Sequence, residues 1–202
     1  MRRTLRAAMT STAALVLTLA FTGVAGSSVT PRLTSELIGP AQFPRGWSLY
    51  SSSGTVNAGC LTNVVGLSNV LEAKGVKQTT SAKVFVQDNQ SVPLVSEMLA
   101  TYSNVSSAYA QIVNTLMACK HVNVRIFGVA VSGSMKEKSF THFGNASQAF
   151  AASTSVMGTT FDEDLVIVRK GNVVVGIIEG GLPPVNVHQF QGIVVKALAK
   201  VQ

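Results

Sequence analysis

Between Val122 and Glu179 the chain is a succession of short runs rich in β-branched residues: Val122 to Val131, Ser139 to Phe143, Ala149 to Met157, Leu165 to Arg169 and Val173 to Glu179. Glycine and polar residues separate them at hairpin-like intervals. Such runs favour the pleated, half-buried setting of a sheet over a helix, so this half of the chain is expected to fold as paired strands. The stretch DEDLVIVRKGNVVVGIIEGG, residues 162–181, tests that reading, because its Lys170-Gly171-Asn172 could also belong to a loop that cradles phosphate. A loop of that kind needs Gly-x-x-x-x-Gly-Lys-Ser/Thr opening a helix, so that backbone amides and a lysine converge on the anion. Gly171 and Gly176 have the required separation, but Ile177 and Ile178 stand where Lys and Ser/Thr are needed. Arg169 to Asn172 is therefore read as a hairpin tip, with Gly171 supplying a positive φ.

Two further strands are expected at Lys77 to Gln87, closed by an Asp88-Asn89 turn, and at Leu94 to Tyr102. Helical spacing recurs in three places. From Leu61 to Lys74 the apolar positions are Val64, Val65, Leu67, Val70 and Leu71, with Gly75 as the stop. In NVSSAYAQIVNTLMACKHV, Ala108, Ile112 and Leu116 form a narrow stripe flanked by Tyr109, Val113 and Cys119. In the closing PPVNVHQFQGIVVKALAKV, Asn186 is placed to cap a helix whose stripe is Phe190, Ile193, Val194, Leu198 and Val201. A shorter helix, capped by Thr34 or Ser35, is expected to end at Gly39-Pro40. Phe43 and Trp47 are read as packing on the core edge, the alternative for Trp47 being a place in a binding cleft.

Residues 1–26 have the form of an export signal: a basic start (MRRTLR), an apolar middle (AALVLTLAF) and a small-residue end (TGVAGSS). Cleavage is expected after Ala25 or Gly26. The apolar part, Ala13 to Phe21, is shorter than the about 20 residues of a spanning helix, although an uncleaved anchor is the alternative. Residues 27–32 form a short polar linker, and 33–202 one domain. Val24-Ala25-Gly26 has the character that precedes a lipidated cysteine, but Ser27 has no thiol to carry a lipid, so no lipid anchor is expected. The mature chain is thus expected to be secreted or extracytoplasmic, possible retention at the cell wall resting on other contacts.

Removing Arg2, Arg3 and Arg6 with the leader leaves 13 Lys+Arg against 9 Asp+Glu and lowers the formal charge from +7 to +4. The remaining cations are scattered and not interleaved with aromatics, which excludes a nucleic-acid surface. Cys60 and Cys119 are the two cysteines. In an oxidising compartment an even pair separated by a long loop most simply forms a disulfide; the alternative, a redox or nucleophilic cysteine, lacks a Cys-x-x-Cys pair.

No catalytic constellation is legible. Gly66-Leu67-Ser68-Asn69-Val70 lacks the second glycine of a nucleophile elbow and lies in a helical pattern. His121, His142 and His188 have no metal-ligand spacing and are expected at the surface. Asp162, Glu163 and Asp164 form the sole acidic run and are expected as a solvated turn before a strand, since three adjacent carboxylates make no ring of oxygens for calcium. Neither cofactor nor metal is expected. Asn89, Asn104 and Asn145 open glycosylation sequons.

The segment LIGPAQFPRGWSL, the helix TYSNVSSAYAQIVNTLMAC that ends in cysteine, and the hairpin DLVIVRKGNVVVGII followed by a helix together resemble the PknH-like extracellular sensor domain, found on mycobacterial receptor kinases and on secreted proteins or lipoproteins. The resemblance spans about residues 33–202. It implies an α+β fold: a central antiparallel sheet of about five to seven strands packed by two or three longer helices, with one disulfide here where family members often have two. It also implies a cleft for an extracellular ligand and no enzymatic activity. The leading expectation is therefore an exported, non-enzymatic sensor-type domain of the cell envelope that binds a small or amphipathic molecule between sheet and helices. The alternative is an envelope protein-interaction module without a cavity, and the third reading is a hydrolase whose residues are scattered through the sequence.

Overall fold

The computed structural model describes residues 31–50, 78–88, 93–126, 129–182 and 184–202. In chain order its elements are α1 (Pro31–Glu36), a 3-10 turn (Pro40–Gln42), β1 (Trp47–Tyr50), β2 (Gln78–Gln87), β3 (Leu94–Tyr102), α2 (Val105–Ala118), β4 (His121–Ile126), β5 (Val129–Lys138), β6 (Ala146–Val156), β7 (Thr159–Lys170), β8 (Val173–Gly181) and α3 (Val187–Lys200). The strands form one sheet in the order β1-β2-β3-β8-β7-β6-β5-β4, and every neighbouring pair is antiparallel. Strands β4 to β8 are a meander, and β3 closes against β8, so α2 carries the chain from mid-sheet to its far edge.

The α+β class and the antiparallel sheet are as expected; among the described residues the strand count is eight, above the range of about five to seven. Trp47, read as packing on the core edge, opens a strand, Trp47–Tyr50, that has no counterpart in the sequence reading and pairs with β2. The run Val122 to Val131 divides into β4 and β5. β5 then continues to Lys138 through a polar sequence, because Val131 and Met135 turn to the core while Ser132, Ser134, Lys136 and Lys138 alternate to the other face. Ser139 to Phe143 lies outside any strand; there Phe140 packs on Phe190 of α3 with ring centroids 5.5 Å apart. The helix expected at Leu61 to Lys74, with Ser68, lies outside the described residues, as do Cys60, Asn89 and the leader.

Each face of the sheet buries one apolar layer. On one face Ala108, Ile112 and Leu116 of α2 pack with Tyr102, Ile167 and Val174. On the other, Phe190, Ile193, Val194 and Leu198 of α3 join Leu33 of α1 and residues of β3, β7 and β8. Phe43 lies between Trp47 and Phe85, at centroid distances of 4.9 and 4.6 Å, and Trp47 is 7% exposed, so Trp47 is core. Asn104 and Asn186 cap α2 and α3, each Oδ1 accepting the amide three residues on at 3.1 Å. Thr34 and Ser35 do not cap α1, which begins at Pro31, where a missing N–H costs nothing. Cys119 caps the end of α2 and is buried. No free thiol is present among the described residues.

The hairpin tip between β7 and β8 is a turn as expected, with Gly171 at φ +58° and its amide donating to Asn145 Oδ1 at 2.7 Å. Its two cations point to opposite faces, as alternation along a strand requires. Arg169 Nη1 donates to Ser106 Oγ at the start of α2 at 2.9 Å. Lys170 Nζ donates to the carbonyls of Leu198 and Val201 at 2.6 and 2.7 Å, covering the electronegative end of α3. Lys170→Met removes both charged hydrogen bonds while keeping the apolar stem, and is expected to lower unfolding free energy by about 2 kcal/mol; urea denaturation followed by circular dichroism measures it.

Candidate functional site

The acidic run Asp162-Glu163-Asp164 is not a solvated turn. It lies inside β7, with Glu163 1% and Asp164 4% exposed. The strand begins at Thr159, earlier than the apolar residues suggest, because the two-residue Met157-Gly158 turn pairs Val156 with Thr159 and commits the acids to the ladder. Both turn residues have positive φ, 50° and 81°, the signature of a tight hairpin.

Alternation sends the acids to different faces. On the α3 face a register row crosses the sheet as Lys136, Ala151, Asp164, Glu179 and Val95, so Asp164 and Glu179 are direct cross-strand neighbours. Lys138 Nζ pairs with Asp164 Oδ2 at 2.5 Å. Glu179 is 3% exposed; its Oε1 accepts from Gln189 Nε2 of α3 at 3.0 Å, and its Oε2 has no hydrogen-bond partner. Burial, and after it the negative charge of Asp164, push the Glu179 carboxyl up to about 7, against the opposing pull of the Gln189 hydrogen bond.

On the α2 face the corresponding row is Met135, Ala152, Glu163, Gly180 and Leu94. Glu163 lies over Gly180, where a Cβ would stand 3.1 Å from Glu163 Cγ, so glycine makes room for the carboxyl. Neither of its oxygens has a hydrogen-bond partner, and burial alone raises it to about 8. Glu163 and Glu179 had no signal in the sequence beyond being acids in or beside an apolar run; an acid in the middle of a β-branched strand is that signal.

Two cavities open at this end of the sheet and share Pro184 and Val185, which lead into α3. The larger, about 480 Å³, is lined by Ser134, Lys136, Lys138, Asp162 and Asp164 among others. The smaller, about 230 Å³, is lined by Glu179 with Gln87, Pro93, Leu182, Asn186 and Gln189 among others. Together they make a groove of mixed charge between the sheet and the start of α3.

The other candidates do not converge here. His142 and His188 are exposed, on the loop before β6 and on α3, and His121 begins the edge strand β4. Ser147 Oγ is 3.4 Å from His142 Nδ1, but that oxygen already accepts from the Phe143 amide at 3.0 Å and neither residue lines either cavity. No group of three or more His, Cys, Asp or Glu among the described residues is arranged to hold a metal ion. Asn104 and Asn145 of the sequons are engaged as helix cap and turn acceptor.

An eight-stranded antiparallel sheet with a long helix on each face and a charged groove at one end defines the class: a single-sheet α+β domain. The particular likeness is to the extracellular domain of PknH from Mycobacterium tuberculosis, with a TM-score of 0.60 and 14% identity over 87% of this chain and 98% of that one. The fold is therefore that of the PknH extracellular domain across almost its whole length. No family model matches the sequence, and no curated protein does. Among the described residues no helix is long and apolar enough to cross a membrane.

Glu163 gives this region a titration signature. Its carboxyl holds a proton more tightly folded, at about 8, than at its ordinary value of 4.5. Below that ordinary value both states are protonated and no penalty exists; as pH rises towards 8 only the unfolded chain releases its proton, so stability falls. Glu163→Gln mimics the neutral form and abolishes this fall. The variant is expected to match the parent near pH 4.5 and to exceed it by about 3 kcal/mol at pH 7, measured by urea denaturation at a series of pH values.

Proposed function

We propose that this chain is an exported, non-enzymatic, sensor-type binding domain of the cell envelope, taking a small or amphipathic molecule in the groove between the sheet and α3. The observation that carries the reading is the cavity lined by Glu179, a buried carboxyl with one oxygen unpartnered. A polar group left so in a folded core costs free energy, and a ligand that donates to it recovers that cost. The shared fold with an extracellular domain supports a site outside the cytoplasm, in keeping with the export signal in residues 1–26 and the secreted or cell-wall location read from it.

The interaction-module reading needs a contiguous exposed apolar patch. The large exposed apolar side chains among the described residues are Leu49, Met117, Met157, Leu182 and Val195, and of these Leu182 lines the smaller cavity, in keeping with the ligand reading. In the same export setting Cys60 and Cys119 pair, tying the end of α2 to the segment before the Leu61 to Lys74 helix pattern.

Native mass spectrometry of the protein purified from its own envelope is expected to show a retained molecule as a defined added mass; bare polypeptide alone overturns the reading. The non-reduced chain is expected to be lighter than the reduced one by two hydrogens, and reduction to lower its stability by about 4 kcal/mol on the loop-entropy estimate. An unchanged mass on reduction overturns the pairing.

A further inference from the structure

The ligand's chemistry follows from a charge imbalance. Asp164 and Glu179 stand opposite one another, both buried, and among the described residues the one ammonium hydrogen-bonded to either is Lys138 Nζ, on Asp164. Among the described residues α3 offers Glu179 only the neutral amide of Gln189, β3 places Val95 beside it and, two residues along the same face, the acid Glu97, which is held by the Ile38 amide, and the remaining residues lining the smaller cavity carry no charge. A second carboxylate in this setting either keeps its proton or gains a second cation, since an ionised group out of water is tolerated only when paired. The cavity beside it has apolar walls at Pro93, Leu182, Pro184 and Val185. At about 230 Å³ it is below the range of about 300–1,000 Å³ of drug-sized sites.

We propose that this cavity binds a small molecule bearing an ammonium group on a short apolar chain, the ammonium donating to the Glu179 carboxylate and the chain lying against Pro93, Leu182, Pro184 and Val185. The inference rests on the reading of the groove as a ligand site and adds the identity of the group recognised. An alkylammonium suits it on three counts: it donates where an acceptor is orphaned, it supplies the missing charge, and its chain is apolar where the wall is apolar. An anion fails on the first two, and a neutral alcohol on the second.

A pH dependence follows. The ammonium stays charged throughout neutral pH, whereas the Glu179 carboxyl, raised to about 7, must lose its proton to pair with it. Binding therefore tightens with rising pH and releases a proton.

The test is isothermal titration calorimetry of the purified protein with n-hexylammonium, against 1-hexanol and hexanoate of equal chain length. The expected result is saturable hexylammonium binding that strengthens about tenfold between pH 6 and pH 8, with proton release visible as a heat that differs between buffers of different ionisation enthalpy. Hexanol and hexanoate are expected to bind at least about tenfold more weakly, the equivalent of one lost charged contact. Glu179→Gln is expected to erase both the pH dependence and the preference for the amine. If that variant does not fold, the buffer-dependent heat of the parent protein decides alone. Absence of hexylammonium binding, equal binding of hexanol, or binding without proton release at pH 6 overturns the inference. A retained envelope ligand without an amine would also overturn it, while leaving the binding-domain reading intact.

Discussion

The register of β7 against β8 is the constraint on which the rest depends. It is set at the Gly171-Asn172 turn, where Lys170 faces Val173, and runs unbroken to Asp162 opposite Gly181. A slip of one residue would turn every side chain of either strand to the opposite face. Glu163 would leave its place over Gly180, Asp164 would lose Glu179, and Arg169 and Lys170 would exchange the helices they hold. The turn resists such a slip because Gly171 is fixed from outside its own hairpin by Asn145, and the two basic residues beside it are anchored to α2 and α3. β8 then serves as the central strand, buried along all of its length between β7 and β3.

What was legible in the sequence is what one apolar period decides. Leu94 to Tyr102 was read as a strand with its observed limits, and the stripes of α2 and α3 contain the residues found buried. Those segments face a single apolar layer, so composition and period agree. Misreadings fall where a strand serves two environments. β5 turns Met135 to the core and Lys136 and Lys138 to the groove, and it was cut short because its second half looks polar. Ser139 to Phe143 was read as a strand because Phe140 and Phe143 look like strand residues, whereas they cover Phe190 from a loop.

The groove was the least legible part for a related reason. Its residues come from β2, the residue before β3, β5, β6, β7, β8, the segment after β8 and α3, and no local spacing announces a site assembled across eight segments. The acids were taken for a solvated turn because carboxylates are rarely buried, and hairpin geometry overrode that preference. The Met157-Gly158 turn fixes where β7 begins, and Thr159 to Asp164 must then pair with β6 whatever their polarity. Recognition of the fold by three ordered segments succeeded where residue chemistry was silent, since order and spacing of elements reflect topology and the groove's chemistry does not.

Buried acids elsewhere in the molecule show that this region is unusual. Glu36 pairs with Arg32 within α1 at 2.8 Å, and Glu97 Oε2 accepts the Ile38 amide at 2.6 Å, tying the segment after α1 to β3. Glu163 and Glu179 have neither a cation nor a backbone amide: Glu163 has only apolar and small neighbours in its row, and Glu179 ties β8 to α3 through one neutral side-chain amide. Replacing buried ionisable groups by apolar ones of similar size often stabilises a protein, so a chain shaped for stability alone would carry hydrophobes at both positions. Their occurrence in adjacent register rows, on opposite faces of the same two strands and beside the cavities, places the local departure from stability rules at the site where a binding function is inferred. Departures of this kind in an otherwise consistent fold are expected at functional sites, and here the departure is one of polar satisfaction: two buried carboxyls, with three oxygens between them lacking a hydrogen bond, that hold their protons towards neutral pH.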